Sequence, residues 1–155
     1  MTFIDDYVHE EYDDYLRLSE KFRDSFSNVT MLDIMRYCEI LARNNYHTLG
    51  FARDELALTE NAVSNLLSKD PVSQFDVYET IRLLAGHSKK IRSLAFPKLT
   101  AMKSVPIKYF VTILSDAMDD KEAYGYYWNC LKDNPSIIDQ LEEEGFSSDG
   151  RIVQE

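Results

Sequence analysis

Glycine and proline are scarce, 5 and 4 in 155 residues. Both residues punctuate turns, so their shortage disfavours a turn-rich β-fold and favours helices with short connections. Cysteine is rarer still. Cys38 and Cys130 each fall in an apolar helical stretch, and the expected compartment, the cytoplasm, would keep them reduced. His9, His47 and His87 share no metal-ligand spacing with each other or with the cysteines, so no metal site is expected. No apolar run approaches the ~18 residues that a bilayer span needs. The opening Met-Thr-Phe-Ile-Asp-Asp is acidic where a signal peptide would be basic. A Gly-rich phosphate loop and a nucleophile beside a credible base are both missing, so neither catalysis nor a cofactor is expected. Asp116, Asp119 and Asp120 crowd a helix junction without further ligands, and they read as helix caps rather than a cation site.

Basic charge is also in short supply. The net charge is −10, with 17 basic and 27 acidic side chains. The excess is uneven: residues 1–30 carry 3 basic and 8 acidic side chains, residues 31–98 carry 9 and 8, and residues 99–155 carry 5 and 11. Acid thus lies in the flanks, and the middle is neutral to slightly basic. Such a middle segment can bind DNA specifically, but the counterion-release contribution is small. Acidic flanks would repel a duplex from the wrong face.

Apolar residues make up 45% of the chain, enough to bury a core, and their spacing is helical throughout. The first helix is expected over residues 3–26, with Val8, Tyr12, Tyr15, Phe22 and Phe26 on one stripe and Ser19 filling the gap. Acid concentrated in its first half suits the positive end of the helix dipole. Thr30 with Asp33 forms a near capping box for a helix over 31–44. Next come a short helix over 51–57, a tight turn at Leu58-Thr59, and a helix over 60–68 capped by the Thr59 hydroxyl. Ser73 caps a helix over 74–85, Gly86 reads as a left-handed terminator, and Ser88 opens a helix that Pro97 closes. After a linker at 98–104, three more helices are expected, over 105–118, over 120–132 and from Pro135 to Gly145. Residues 146–155 read as a frayed tail.

The run ELALTENAVSNLL, followed by a short loop and a long amphipathic helix, resembles the lambda-repressor-like (Xre/Cro) DNA-binding domain over roughly Thr30–Phe96. The resemblance implies a rigid bihelical unit. Ala57 would sit where the two helices touch, Thr59 would cap the second, and Val63 and Leu66 would anchor its inner face. Ala57 stands where the family commonly has glycine, and Arg53 where it commonly has alanine. The implied architecture is all-α: an N-terminal amphipathic helix (1–29), a five-helix helix-turn-helix domain (30–97), a C-terminal three-helix unit (98–146) and a tail (147–155).

The face turned to base edges would then be Thr59, Glu60, Asn61, Ser64, Asn65 and Ser68. Asparagine pairs bidentately with adenine, and serine or threonine serves several bases. Arg53, Lys69, Ser73 and Gln74 would meet phosphates. Lys89, Lys90 and Arg92 form the densest basic cluster, a second candidate phosphate contact. The expected function is a transcriptional regulator that binds double-stranded DNA as a homodimer, its half-sites about one helical turn apart. The alternative is an acidic protein-binding module, of the type of phage inhibitors and anti-repressors. It would keep the helix-turn-helix as scaffold and engage a basic protein partner.

Overall fold

The computed structural model describes residues 3–43, 53–69 and 71–151. The chain falls into two compact units, Met1–Val72 and Ser73–Glu155, a division inside the segment expected to form one domain. Eight α-helices account for most of the described residues, and none is long and apolar enough to cross a membrane. The expected helix end at Asn44 and helix start at Phe51 lie outside the described residues, as do the side chains of Val8 and Arg53.

The first unit holds α1 (Phe3–Asp24), a single 3-10 turn (Phe26–Asn28), α2 (Met31–Arg43) and α3 (Arg53–Leu67). Helix α1 packs on both α2 and α3. The expected capping box is present: the Asp33 amide donates to Thr30 Oγ1 at 3.2 Å, and the Thr30 amide donates to Asp33 Oδ2 at 3.0 Å. Lys21 Nζ also reaches that carboxylate at 2.7 Å and ties α1 to the start of α2. The Lys21 ammonium and the Thr30 amide hold the Asp33 carboxyl below its usual range, against the upward push of burial, the largest single influence.

The buried face of α1 is rotated from the expected stripe. Glu11, Leu18 and Phe22 are buried, whereas Tyr12 and Phe26 are each 45% exposed. Leu18 and Phe22 sit one turn apart and take the interior, and the wetter tyrosine is left outside. On α2 the interior positions are Ile34, Tyr37, Ile40 and Leu41. Tyr37 is central. Its ring stacks on Tyr15 at 5.7 Å and tilts against Phe22 at 4.7 Å, and its hydroxyl lies 2.8 Å from Ser19 Oγ. A buried phenol at this spot is tolerable because its oxygen is bonded. Tyr15 in turn donates to the buried Glu55 carboxylate on α3. Burial, and then this bond, hold the Tyr15 phenol well above its ordinary ionisation range.

The second unit runs α4 (Gln74–Leu84), α5 (Lys89–Thr100), α6 (Ile107–Asp116), α7 (Lys121–Leu131), α8 (Pro135–Glu143) and a hairpin of β1 (Phe146–Ser147) and β2 (Gly150–Arg151). Ser73, Ser88 and Asp120 make the expected side-chain caps, whereas Asp116 ends α6 and neither it nor Asp119 makes a cap bond. Ser73 Oγ accepts from the Asp76 amide, Ser88 Oγ from Ile91 and Asp120 Oδ1 from Ala123. Helices α4 and α5 pack along each other, α5 meets α7, and α6 lies against α4 and α8. The core centres on Phe96, fully buried, with Phe110 edge-on at 6.0 Å and Tyr127 tilted at 4.5 Å.

Three local expectations are corrected. Gly86 has no left-handed backbone, and Ala85 closes α4 in right-handed geometry; positive φ is found instead at Gly145, 92, and Gly150, 125. Pro97 does not end α5, which runs on to Thr100. A proline leaves the carbonyl four residues back unbonded; here that is Ser93, an exposed position where water can serve it. Residues 146–151 are a docked hairpin rather than a fray. Phe146 is 1% exposed, and the Tyr124 hydroxyl donates to Ser147 O at 2.6 Å.

Candidate functional site

Helix α3 runs unbroken for 15 residues, from Arg53 to Leu67, straight through the expected turn at Leu58-Thr59. The physical reason lies in the residues. Glycine and proline are both absent between 53 and 67, and Leu56, Ala57 and Leu58 are comfortable in a helix. Thr59 does not need to cap a new helix, because its hydroxyl donates back to Glu55 O at 2.8 Å, the bond a mid-helix threonine makes. Its side chain is fully buried. The tight turn that would separate a short helix from a recognition helix is therefore not formed at this position.

The expected base-facing residues scatter around this one helix. Thr59 is buried, Asn61 and Ser68 are exposed, and Glu60, Ser64 and Asn65 are half-buried. Ser64 Oγ is shut from solvent without a hydrogen-bond partner, and Ser68 Oγ is taken up by Asn65 O at 2.7 Å. Asn61 is the member of the set best placed to reach a partner. Among the phosphate candidates Lys69 is exposed, Ser73 is occupied as the α4 cap, and Gln74 Nε2 donates to Lys103 O at 2.6 Å. Lys69 belongs to the first unit, and Ser73 and Gln74 belong to the second. The Arg53 side chain lies outside the described residues.

The basic cluster loses its strongest member. Arg92 is 5% exposed and donates to Ala85 O at 3.2 Å, and Lys89 pairs with Glu122 at 2.8 Å. The spacing could have shown this, because Arg92 lies on the same helical stripe as Phe96 and Leu99.

Two other surfaces come forward. The first is the outer face of α1. Tyr12 and Leu16, a turn apart, are 45% and 47% exposed. On the same helix Glu10, Asp13, Glu20 and Asp24 are exposed as well, Asp13 and Glu20 within about one turn of Leu16. The two arginines on this face are engaged by acids of their own helix, Arg17 with Asp14 and Arg23 with Asp24, both at 3.4 Å. The first unit as a whole carries 7 basic and 14 acidic side chains.

The second is a cavity of about 430 Å³ in the second unit. Ile81, Ile113, Ala117, Ala123 and Tyr127 give it apolar walls, and Arg82, Asp116 and Asp120 bring charge. Glu79, itself buried, grips Arg82 at two points, 3.1 Å at Nε and 2.8 Å at Nη2. Asp120 uses Oδ1 as the α7 cap, and its Oδ2 stands 3.8 Å from Arg92 Nη2, beyond hydrogen-bond reach. Burial pushes the Tyr127 phenol up to about 12, against a downward pull from Arg92. The unfolded phenol ionises near 10.0. The stability this group contributes is therefore whole below that pH and is lost as pH climbs through the folded value. In Tyr127→Phe, the fall in urea midpoint between those two pH values is expected to be shallower than in wild type. An unchanged slope would mean that the phenol is not shielded.

No protein family, curated protein or solved structure matches this chain.

Proposed function

We propose that this protein is a non-catalytic protein-binding module that engages a basic partner through the outer face of α1. The observation that supports this reading is the exposed pair Tyr12 and Leu16, with the exposed carboxylates Asp13 and Glu20 about one turn to either side of Leu16. An apolar centre supplies affinity on desolvation, and a rim of one sign selects the partner and speeds its encounter. Pairing of two α1 helices through this face would bring like charges together, which opposes a homodimer there. The rival reading is a regulator that reads DNA from α3. It rests on exposed Asn61 but lacks the turn that frees one helix face for the groove.

One experiment separates the two. Random displayed peptides and random double-stranded DNA are each selected on the full chain at low and moderate salt. Wild type is expected to enrich peptides rich in lysine or arginine around a large apolar residue. Tyr12→Ser/Leu16→Ser should lose that binding while keeping its helical circular dichroism. Enrichment of a symmetric duplex, lost in Asn61→Ala/Asn65→Ala, would overturn the proposal in favour of DNA reading.

A further inference from the structure

We propose that the cavity of the second unit binds a compact organic cation, an ammonium or guanidinium group on a short apolar stem. Three features support this class of ligand, and none depends on the surface of α1. The first is volume and lining. About 430 Å³ walled by Ile81, Ile113, Ala117 and Ala123 accepts a stem of a few carbons. The second is charge. Asp116 and Asp120 are exposed carboxylates on the cavity wall. The one cationic side chain of the lining, Arg82, is held by Glu79 through two hydrogen bonds and also attracts Asp116, so the acids of this wall outnumber it. Arg92 offsets Asp120 only at 3.8 Å, and Asp120 Oδ2 stays available.

The third is placement. Asp116 is the last residue of α6, where the helix dipole is negative and a carboxylate is disfavoured. A bound cation would relieve that repulsion. Tyr127 brings an aromatic ring to the same wall. An anion would meet two carboxylates, and a neutral molecule would leave them unused.

The test is titration of the full chain with n-butylguanidinium, followed by methyl NMR at Ile81, Ile113 and Ala123, with butanol and butyrate as neutral and anionic controls. The cation is expected to shift these methyls saturably, and the controls are not. Asp116→Asn/Asp120→Asn should weaken its binding by at least about tenfold, the loss expected when a bound cation loses its charge partners. Asparagine caps a helix as well as aspartate does, so the double variant keeps the start of α7, and its thermal melt verifies this. N-acetylarginine methylamide separates the sources of the cation: tighter binding than n-butylguanidinium assigns the site to an arginine of a protein partner, and weaker binding assigns it to a free small molecule. Absence of any saturable shift with n-butylguanidinium, equal shifts with butanol, or equal n-butylguanidinium affinity in the double variant would overturn the proposal.

Discussion

Glu60→Pro is expected to lower the stability of the first unit by at least ~3 kcal/mol, the cost of proline inside a helix. The position is chosen because two local structures give opposite answers there. If a turn ended at Thr59, Glu60 would be the first residue of a new helix, and proline is favoured at that place. In the unbroken α3 of Arg53–Leu67, residue 60 lies near the middle of the helix. Proline would remove a backbone donor and drive its ring into the carbonyl of Leu56, one turn before. The damage would spread, because Thr59, Ala62 and Val63 beside it are fully buried. The reading is the urea midpoint by circular dichroism. A variant within about 0.5 kcal/mol of wild type would mean that the chain breaks before Glu60, and the DNA-reading hypothesis would gain the turn it lacks.

Phe96→Ala is expected to cost about 3–5 kcal/mol, the range for deleting a large buried aromatic side chain. Phe96 is fully buried on α5 and touches α6 through Phe110 at 6.0 Å and α7 through Tyr127 at 4.5 Å. Its removal therefore loosens three helices at once, and a core packed to crystal density cannot collapse fully around the void. Trp128, the only tryptophan, sits on α7 stacked on Tyr124 at 6.3 Å and reports the transition by fluorescence. Leu94→Ala is the control on the same helix. Leu94 is 42% exposed, and its loss should stay within about 0.5 kcal/mol. Equal effects at the two positions would mean that Phe96 is not the centre of this core.

The all-α class, most helix starts and much of the second unit's interior were legible in the sequence, because those features depend on residues close along the chain. Thr30 with Asp33, Ser73, Ser88 and Asp120 cap their helices through bonds that span three residues. Val77, Ile81 and Leu84 face inward because apolar side chains at helical spacing must be buried together. At position 59 the same kind of local pattern points the wrong way. A threonine hydroxyl can cap the amides ahead of it or bond the carbonyl four residues behind. Neither option leaves a trace in composition. In the structure it donates to Glu55 O, where the side chain is buried against the rest of its unit.

Charge was the other blind spot. A reading by residue type places acids and arginines outside. Tertiary structure buried Glu11, Glu55, Glu79 and Arg92, since a neighbouring element can supply the polar partners that water would otherwise provide. On α1 it is Glu11, Leu18 and Phe22 that are buried, and Tyr12 and Leu16 stay exposed. Packing likewise brings Ile81, Arg82 and Gly86 to the cavity wall that Asp116 and Asp120 share with their own helices. The sequence by itself determined that the chain folds as capped, amphipathic helices with an excess of acid. Only the packing of those helices decided which face each one buries, and so which residues stand free to meet a partner, because burial is a property of what lies opposite a side chain and not of the side chain alone.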